Sequence, residues 1–276
     1  MDTSMTPPNS IWRVVGASVA GTSYRRIGRG CDDSYAYRRQ GKSTLLMAVA
    51  DGAGSAAQSA EGAARAVQAA LDAAEVTLAQ QAEPTHEEQW HGILSTVLKA
   101  VRFTLEELAS GRATSFDRVA GEMELTQQSP LVPLREFATT LLLTIVTMRW
   151  VTVAQIGDGA VVVQHMDGML QTVTQPGHGE YINETNFVTD PDYLKWAKYA
   201  VLPRMGIHGI ALLTDGLQML ALDFPKNTPY KPFFTPLFRF AGDHDGTEEE
   251  LVAFLDSERI CARTDDDKTL VLAVCL

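Results

Sequence analysis

Short apolar runs separated by polar turns recur along the chain and predict a large content of β-strand. Each run is rich in leucine or β-branched residues and is bounded mostly by Gly or Asp, a composition typical of strands in a sheet. Seven such runs are predicted as strands, at residues 12–19, 43–50, 138–148, 150–156, 160–165, 210–214 and 269–274.

Between the second and third of these strands, apolar residues recur at every third or fourth position, which is the period of an amphipathic helix. Residues 55–81 are alanine-rich and predict a helix whose small-residue face can pack closely. A second helix is predicted from the capping-box spacing that begins at Thr85 to a stop at Gly111, and a third over residues 247–259. This order of elements favours an α+β fold over repeated β-α-β units.

Other segments lack a regular period. Residues 112–136 are predicted as a polar connection and residues 171–209 as mostly irregular chain. Residues 224–240 combine four prolines with six aromatic residues, and proline disfavours helix interiors and central strands. This segment is predicted as an extended ordered loop whose aromatic side chains either cover the core or form a contact surface. Residues 1–10 are predicted as a loose lead-in to a single domain over residues 11–276.

The composition is that of an acidic globular protein. The chain has 276 residues with 34 acidic and 23 basic side chains, a net charge of −11, and 45% of its residues are hydrophobic. Such a chain can bury a sizeable core, but it lacks the positive surface that binding to nucleic acid or an anionic membrane requires. Neither is predicted as a partner. The three cysteines have no CxxC spacing, and no signal peptide or membrane-spanning run is found, which predicts a soluble cytoplasmic protein.

Aspartates at strand ends are the main candidates for chemistry. Of five Asp-Gly dipeptides, those at Asp167 and Asp245 are predicted as ordinary turns. The other three aspartates, Asp51, Asp158 and Asp215, each follow an apolar strand that must be buried. These three acids are therefore expected at the rim of one core.

Two further acidic groups lie at strand ends. Asp32 and Asp33 follow the first predicted strand, and three aspartates at 265–267 precede the last one. Like charges converge only around a cation, and ligation by oxygen alone selects Mg²⁺ or Mn²⁺ over zinc. A site for one of these two metals is therefore expected. A structural calcium-binding protein is a weaker alternative, because the acids do not form an EF-hand loop.

The order of the sequence blocks carries a family resemblance. The chain contains, in order, GTSYRRIGRGCDDSYAY, AVADGAGSA, EFATTLLLTIV, AQIGDGAVVV, LLTDGLQ and DDDKTLVLAV. With this order it resembles the metal-dependent serine/threonine protein phosphatases of the type 2C family, in particular a bacterial subgroup. The resemblance implies a four-layer α-β-β-α sandwich, in which two antiparallel β-sheets are flanked by helix pairs. It also implies two Mn²⁺ or Mg²⁺ ions at one end of the sandwich.

The resemblance assigns roles to the strand-end acids. Asp51 resembles the carboxylate that bridges both ions, and the carbonyl of Gly52 a further ligand. Asp215 and Asp266 resemble acids that each bind an ion. The catalytic residues that the resemblance implies are therefore Asp51, Asp215 and Asp266. Asp265 stays open as an alternative to Asp266. Asp33 resembles an acid that holds metal-bound water, and Asp158 an acid that some members use for a weaker third ion.

Two departures from the family pattern affect the substrate side. Ala53 stands where animal members have the histidine proposed as general acid. The arginine that binds substrate phosphate has no clear match, which leaves Arg25, Arg26 and Arg29 as open candidates and Arg204 as the next one. A guanidinium suits this role because it can hold two phosphate oxygens at once.

The implied function is hydrolysis of phosphoserine and phosphothreonine in proteins by a metal-activated water. Phosphorylated proteins are then the expected partners, together with a cognate serine/threonine kinase system. The alternative is a catalytically weak or inactive regulatory module that keeps the same fold. That alternative predicts missing ligands, whereas every principal acidic position is occupied.

Overall fold

Twelve strands and eight α-helices occur in the part of the chain that the computed structural model describes, residues 12–41, 43–111, 131–174, 185–243 and 246–276. The strands are β1 (Trp12–Val19), β2 (Ser34–Gln40), β3 (Thr44–Ala50), β4 (Leu141–Val146), β5 (Trp150–Ile156), β6 (Ala160–His165), β7 (Leu170–Thr174), β8 (Lys198–Pro203), β9 (Ile207–Leu213), β10 (Leu222–Asp223), β11 (Thr228–Pro229) and β12 (Lys268–Cys275). The helices are α1 (Thr22–Arg26), α2 (Ser59–Ala79), α3 (Glu87–Ala109), α4 (Tyr193–Trp196), α5 (Gln218–Ala221), α6 (Lys231–Gly242), α7 (Glu248–Leu255) and α8 (Glu258–Cys261).

Two five-stranded sheets form the centre of the fold. The first sheet has the order β1-β12-β9-β6-β7 and the second the order β2-β3-β4-β5-β8, and all neighbouring strands are antiparallel. Helices α2 and α3 pack on the outer face of the second sheet, and α6 and α7 pack on that of the first. This arrangement confirms the predicted α+β fold with four layers.

Strand β3 illustrates how side chains are divided between the layers. All but the first of its residues are buried. Because side chains alternate across a strand, Leu45, Met47 and Val49 pack in the core between the sheets, whereas Leu46, Ala48 and Ala50 face α2 and α3. A strand buried on both faces has no polar face, which explains the continuous apolar run in the sequence.

The strand registers bring the strand-end acids to one edge of the sandwich. In the second sheet, the end of β3 lies beside the start of β2 and of β4, and the end of β5 pairs with the start of β4. In the first sheet, the end of β9 pairs with the starts of β6 and β12. Residues 157–159 connect β5 to β6, so both edges are at the same end of the molecule.

The prediction for residues 224–240 is wrong in its secondary structure. Residues 231–242 form helix α6, with Pro232 in its first turn and Pro236 inside it. Proline is tolerated in the first turn, and an interior proline costs about 3 kcal/mol. Phe234, Leu237 and Phe238 are buried against the first sheet, and each such burial contributes about 1.5–3 kcal/mol. The free energy gained by burial therefore exceeds the cost of the interior proline. Of the two roles predicted for the aromatic side chains, these buried ones cover the core.

Two other expectations differ from what the structure describes. Residues 171–209 were expected to be mostly irregular; of them, residues 175–184 lie outside the described residues, and the described parts contain β8, α4, most of β7 and the start of β9. The helix expected over residues 247–259 is divided into α7 and α8, which are separated by Asp256 and Ser257. The turn predicted at Asp167 is confirmed, since it joins β6 to β7. The predicted lead-in, most of the polar connection (residues 112–130) and Asp245 lie outside the described residues.

Among the helices that the structure describes, none is both long enough and apolar enough to cross a membrane.

Candidate active site

Asp51 is held at the end of β3 by two threonines of the loop before β4. The hydroxyl of Thr139 donates a hydrogen bond of 2.9 Å to the carbonyl of Asp51, and the backbone N–H of Asp51 donates one of 3.0 Å to the hydroxyl of Thr140. The backbone N–H of Thr140 donates to the same carbonyl, at 2.8 Å. Both threonines are buried, so the backbone that carries the Asp51 carboxylate is fixed on both sides.

Asp51, Asp158 and Asp215 form a cluster of three carboxylates. One oxygen of each lies within 4.8 Å of the corresponding oxygens of the other two. The pKa of Asp51 is raised well above its usual value, mainly by burial and further by the negative charges of Asp33 and Asp215. Burial, followed by the charge of Asp158, raises the pKa of Asp215 to about 6. Both shifts show that the protein alone does not stabilise this density of negative charge.

Asp33 is buried beside this cluster. Its Oδ2 atom accepts hydrogen bonds of 2.8 Å from the hydroxyl of Thr214 and 2.7 Å from that of Thr269. Within the described residues, its Oδ1 atom is buried and has no hydrogen-bond partner. Burial is the largest cause that raises the pKa of Asp33 to about 8.

The three aspartates before β12 have different surroundings. The carboxylate of Asp267 accepts two hydrogen bonds of 2.6 Å, from the backbone N–H groups of Gly21 and Asp32. Asp265 is exposed and accepts from Ser23 through its backbone carbonyl. Asp266 is half-buried, and burial raises the pKa of its carboxyl group. Asp266 also contributes to the raised pKa of Asp215, so its carboxylate acts on the cluster.

Two glycines allow the backbone to approach closely at the site. A Cβ atom on Gly52 would lie 2.7 Å from the carbonyl oxygens of both Asp32 and Ser59, and one on Gly216 would lie 1.9 Å from that of Asp267. Only glycine fits at either position. The Asp-Gly dipeptides at 51 and 215 are therefore required by packing, and not by turn geometry as at Asp167.

The three candidate phosphate-binding arginines lie in or just after α1. Arg25 forms an exposed two-pronged ion pair with Asp256, with distances of 2.5 and 3.1 Å. Arg26 is exposed and has no side-chain partner within the described residues. Arg29 donates to the carbonyls of Gly54 and Ala56 and to the hydroxyl of Ser59, and it pairs with Asp32 at 2.5 Å. Its guanidinium thus holds the loop that follows Asp51.

Arg204 is not placed near the acids. It follows β8 at the end that pairs with Trp150, the first residue of β5, whereas Asp158 follows the last residue of that strand. Seven residues of β5 at about 3.3 Å each separate the two ends by about 20 Å. Its guanidinium stacks on Trp12 at 5.3 Å, so this next candidate is excluded from the site by position.

Sequence reasoning missed the residues that hold the acids in place. The hydroxyls of Thr139, Thr140, Thr214 and Thr269 bind either the backbone of Asp51 or the carboxylate of Asp33, and Asp267 binds backbone N–H groups. The only signal in the sequence was that each threonine lies in an apolar strand or next to one. A buried hydroxyl there needs a partner.

The donor set fits divalent cations that prefer oxygen ligands. Three carboxylates converge, their neighbour Asp33 has an unpartnered buried oxygen, and the pKa shifts of Asp51 and Asp215 result from burial and mutual repulsion that a cation would relieve. Asp158, which was predicted to serve only a weaker third ion, lies in the same cluster as Asp51 and Asp215.

Comparison with solved structures defines the class of fold. A serine/threonine phosphatase from Staphylococcus aureus superposes with a TM-score of 0.60 at 14% identity, covering 99% of each chain. A bacterial serine phosphatase gives a TM-score of 0.59 at 15% identity, covering 95% of this chain and 97% of that one. At these identities the likeness concerns the fold, which is that of bacterial phosphatases.

Sequence comparison then identifies the family. The sequence model of the family described as Protein phosphatase 2C matches residues 20–256. The chain is also 35% identical over 283 aligned residues to serine/threonine-protein phosphatase 3 of Escherichia coli (strain K12), covering 95% of this chain and 98% of that protein. The chain belongs to the protein phosphatase 2C family, which confirms the resemblance and makes it a protein phosphatase by family.

Proposed function

We propose that this protein hydrolyses phosphoserine and phosphothreonine in proteins, with its catalytic centre at the cluster of Asp51, Asp158 and Asp215. The observation that supports this proposal is the convergence of these three carboxylates, within 4.8 Å of one another, at the edge where the two sheets meet. Membership of the family supplies the reaction class, and the cluster supplies its place on this chain.

The proposed cofactors are two Mn²⁺ or Mg²⁺ ions, with a weaker third. Asp51, Asp215 and Asp266, the carbonyl of Gly52 and Asp33 would hold them, with Asp158 for the third or as a shared ligand. Such ions neutralise charge on the phosphoryl group and lower the pKa of a bound water so that it can attack phosphorus.

The protein's own contribution is to position these groups. Thr139 and Thr140 fix the backbone of Asp51, and Thr214 and Thr269 fix one oxygen of Asp33 and leave the other open. Preorganised ligands need no rearrangement when substrate arrives, which is the main way an enzyme of this kind lowers its barrier.

The substrate phosphate is proposed to bind one of the three arginines that precede Asp32, namely Arg25, Arg26 and Arg29. Arg29 already donates to three protein groups and pairs with Asp32, so releasing it would disturb the loop after Asp51. Arg25 has only an exposed ion pair to exchange, which is worth little, and Arg26 has no described partner to lose. Arg25 and Arg26 are the better candidates.

A cysteine nucleophile is not part of the proposal. Cys31 is the cysteine next to the acids, and burial, with Asp33 and Asp267, raises the pKa of its thiol well above the usual value. The reactive thiolate is therefore disfavoured. An inactive regulatory module is also disfavoured, because the acidic cluster is complete. The partners are proposed to be phosphorylated proteins and the kinase that modifies them.

The test is phosphate release from a phosphothreonine peptide with Mn²⁺, with Mg²⁺ and with EDTA. Removing a partner of a metal ligand typically costs 10- to 100-fold, so Asp51→Asn, which alters a ligand itself, is expected to lower kcat at least about 100-fold. The matched control is Asp167→Asn, which changes the aspartate of another Asp-Gly dipeptide in the distant turn between β6 and β7. Full activity of Asp51→Asn at saturating Mn²⁺, or of the wild type in EDTA, would refute the proposal.

A further inference from the structure

A cavity of about 430 Å³ lies away from the acid cluster, on the outer side of the first sheet. Its walls come from α6 on one side and from α7 and α8 on the other. Phe233 and Phe240 of α6 and Phe254 of α7 line it, and the rings of Phe233 and Phe254 are in contact, with their centroids 6.3 Å apart. Cavities that bind small molecules span about 300–1,000 Å³, so this one has the size for a small ligand with an apolar body.

Two arginines give one side of this cavity a positive charge. Arg259 lies in α8 and Arg263 follows four residues later, and both line the cavity and are exposed. Neither guanidinium has a side-chain partner within the described residues. By contrast, Arg38, Arg102 and Arg149 each pair with a carboxylate.

The acidic residue that lines the cavity, Glu250, already has a hydrogen-bond partner. Glu250 accepts a hydrogen bond of 3.1 Å from the backbone N–H of Thr247, as part of the cap that begins α7. In a protein with a net charge of −11, these two guanidiniums next to an aromatic cavity form a local patch of positive charge. They are complementary to an anion whose other end is apolar.

We propose that this cavity binds a free amphipathic carboxylate. Its apolar chain or ring lies against Phe233, Phe240 and Phe254, which line the cavity, and its carboxylate accepts hydrogen bonds from Arg259 and Arg263, a pairing for which the guanidinium fork is suited. A cavity of this size between α6 on one side and α7 and α8 on the other fits a small molecule better than an extended peptide, which needs a long groove or a free strand edge.

The test is calorimetric titration of the full chain with decanoate in EDTA, so that no metal can bind the carboxylate. Decanol, which has the same chain without a charge, and decyltrimethylammonium, which has the opposite charge, are the comparison ligands. We expect one site per chain for decanoate and at least fivefold weaker binding of both comparison ligands. The double variant Arg259→Gln/Arg263→Gln is expected to reduce decanoate binding to the level of decanol. Arg65→Gln, which changes a half-buried arginine on α2 away from the cavity, should leave it unchanged.

Both arginines are exposed, so the double variant should fold, and equal Tm values would check this. Equal affinity for the three ligands, or unchanged decanoate binding in the double variant, would overturn the proposal. Binding of oleate-containing vesicles without binding of free decanoate would also overturn it, because the ligand would then be a membrane surface.

Discussion

The run of three aspartates before β12 allows one prediction to be worked out in detail. Asp267 is 4% exposed, and its two carboxylate oxygens accept one hydrogen bond each, both 2.6 Å long, from the backbone N–H groups of Gly21 and Asp32. Asp32 precedes Asp33, so Asp267 ties the start of β2 to the start of β12. It should act by positioning the acids and not as a ligand.

Asp267→Asn keeps the size of the side chain but replaces one acceptor oxygen with a donor. One of the two hydrogen bonds is lost, and a hydrogen bond to a charged group contributes about 1.5–3 kcal/mol. Some of this loss is offset because Asp267 adds, after burial and other causes, to the raised pKa of Asp33, and that repulsion disappears. The expected net loss is about 2 kcal/mol of unfolding free energy, which lowers Tm by roughly 4–8 °C in a domain of this size.

The assay is thermal unfolding with and without Mn²⁺, together with the Mn²⁺ concentration that gives half-maximal activity. Asp265→Asn is the matched control, since Asp265 is exposed and bonds Ser23 only through its backbone carbonyl; its Tm and metal requirement should not change. Asp266→Asn should raise the metal requirement and lower the Tm measured with Mn²⁺, while leaving the Tm measured without Mn²⁺ nearly unchanged. Equal Tm values for the Asp267→Asn and Asp265→Asn variants would refute the reasoning.

Two further predictions concern protons and phosphate. The pKa of Asp33 is raised from 3.8 to about 8 and that of Asp215 from 3.8 to about 6, so the metal-free folded protein holds protons that the unfolded chain has released. Its Tm should therefore fall between about pH 5 and pH 8, and a flat profile in EDTA would contradict the shifts. Replacing Arg25 or Arg26 with alanine should raise KM for a phosphopeptide severalfold and leave Tm unchanged. Arg29→Ala, in contrast, should lower Tm. If KM is unchanged in both the Arg25 and the Arg26 variant, the phosphate site lies elsewhere.

The strands that the sequence predicted are mostly the interior strands of the sheets. Strands β3, β4, β5, β6, β9 and β12 are buried and read as continuous apolar runs, and all were predicted. The three missed strands of the two large sheets, β2, β7 and β8, are edge strands. An edge strand is stabilised by pairing on one side only and carries polar side chains, such as Arg38 and Arg39 in β2. Its sequence therefore resembles a loop.

The sequence predicts that the acids of the cluster lie at the ends of strands, but it does not predict which of their carboxylates contact one another. An apolar strand that must be buried places the next residue at the rim, which was enough to single out Asp51, Asp158 and Asp215. Which carboxylates face one another depends on backbone geometry within one or two residues of the strand. Asp265, Asp266 and Asp267 are adjacent in the sequence, yet one is exposed, one acts on the cluster and one binds backbone N–H groups.

The same geometry links the stability of the fold to its cation. Burial and mutual repulsion raise the pKa values of Asp33, Asp51 and Asp215, so ionising them at neutral pH destabilises the folded state. A divalent cation that binds only the folded protein reverses this penalty and adds its binding free energy. Metal affinity and stability should therefore change together when a ligand is altered. Neither should change when a residue such as Arg25, which contacts only Asp256 and Cys261 at the surface, is replaced.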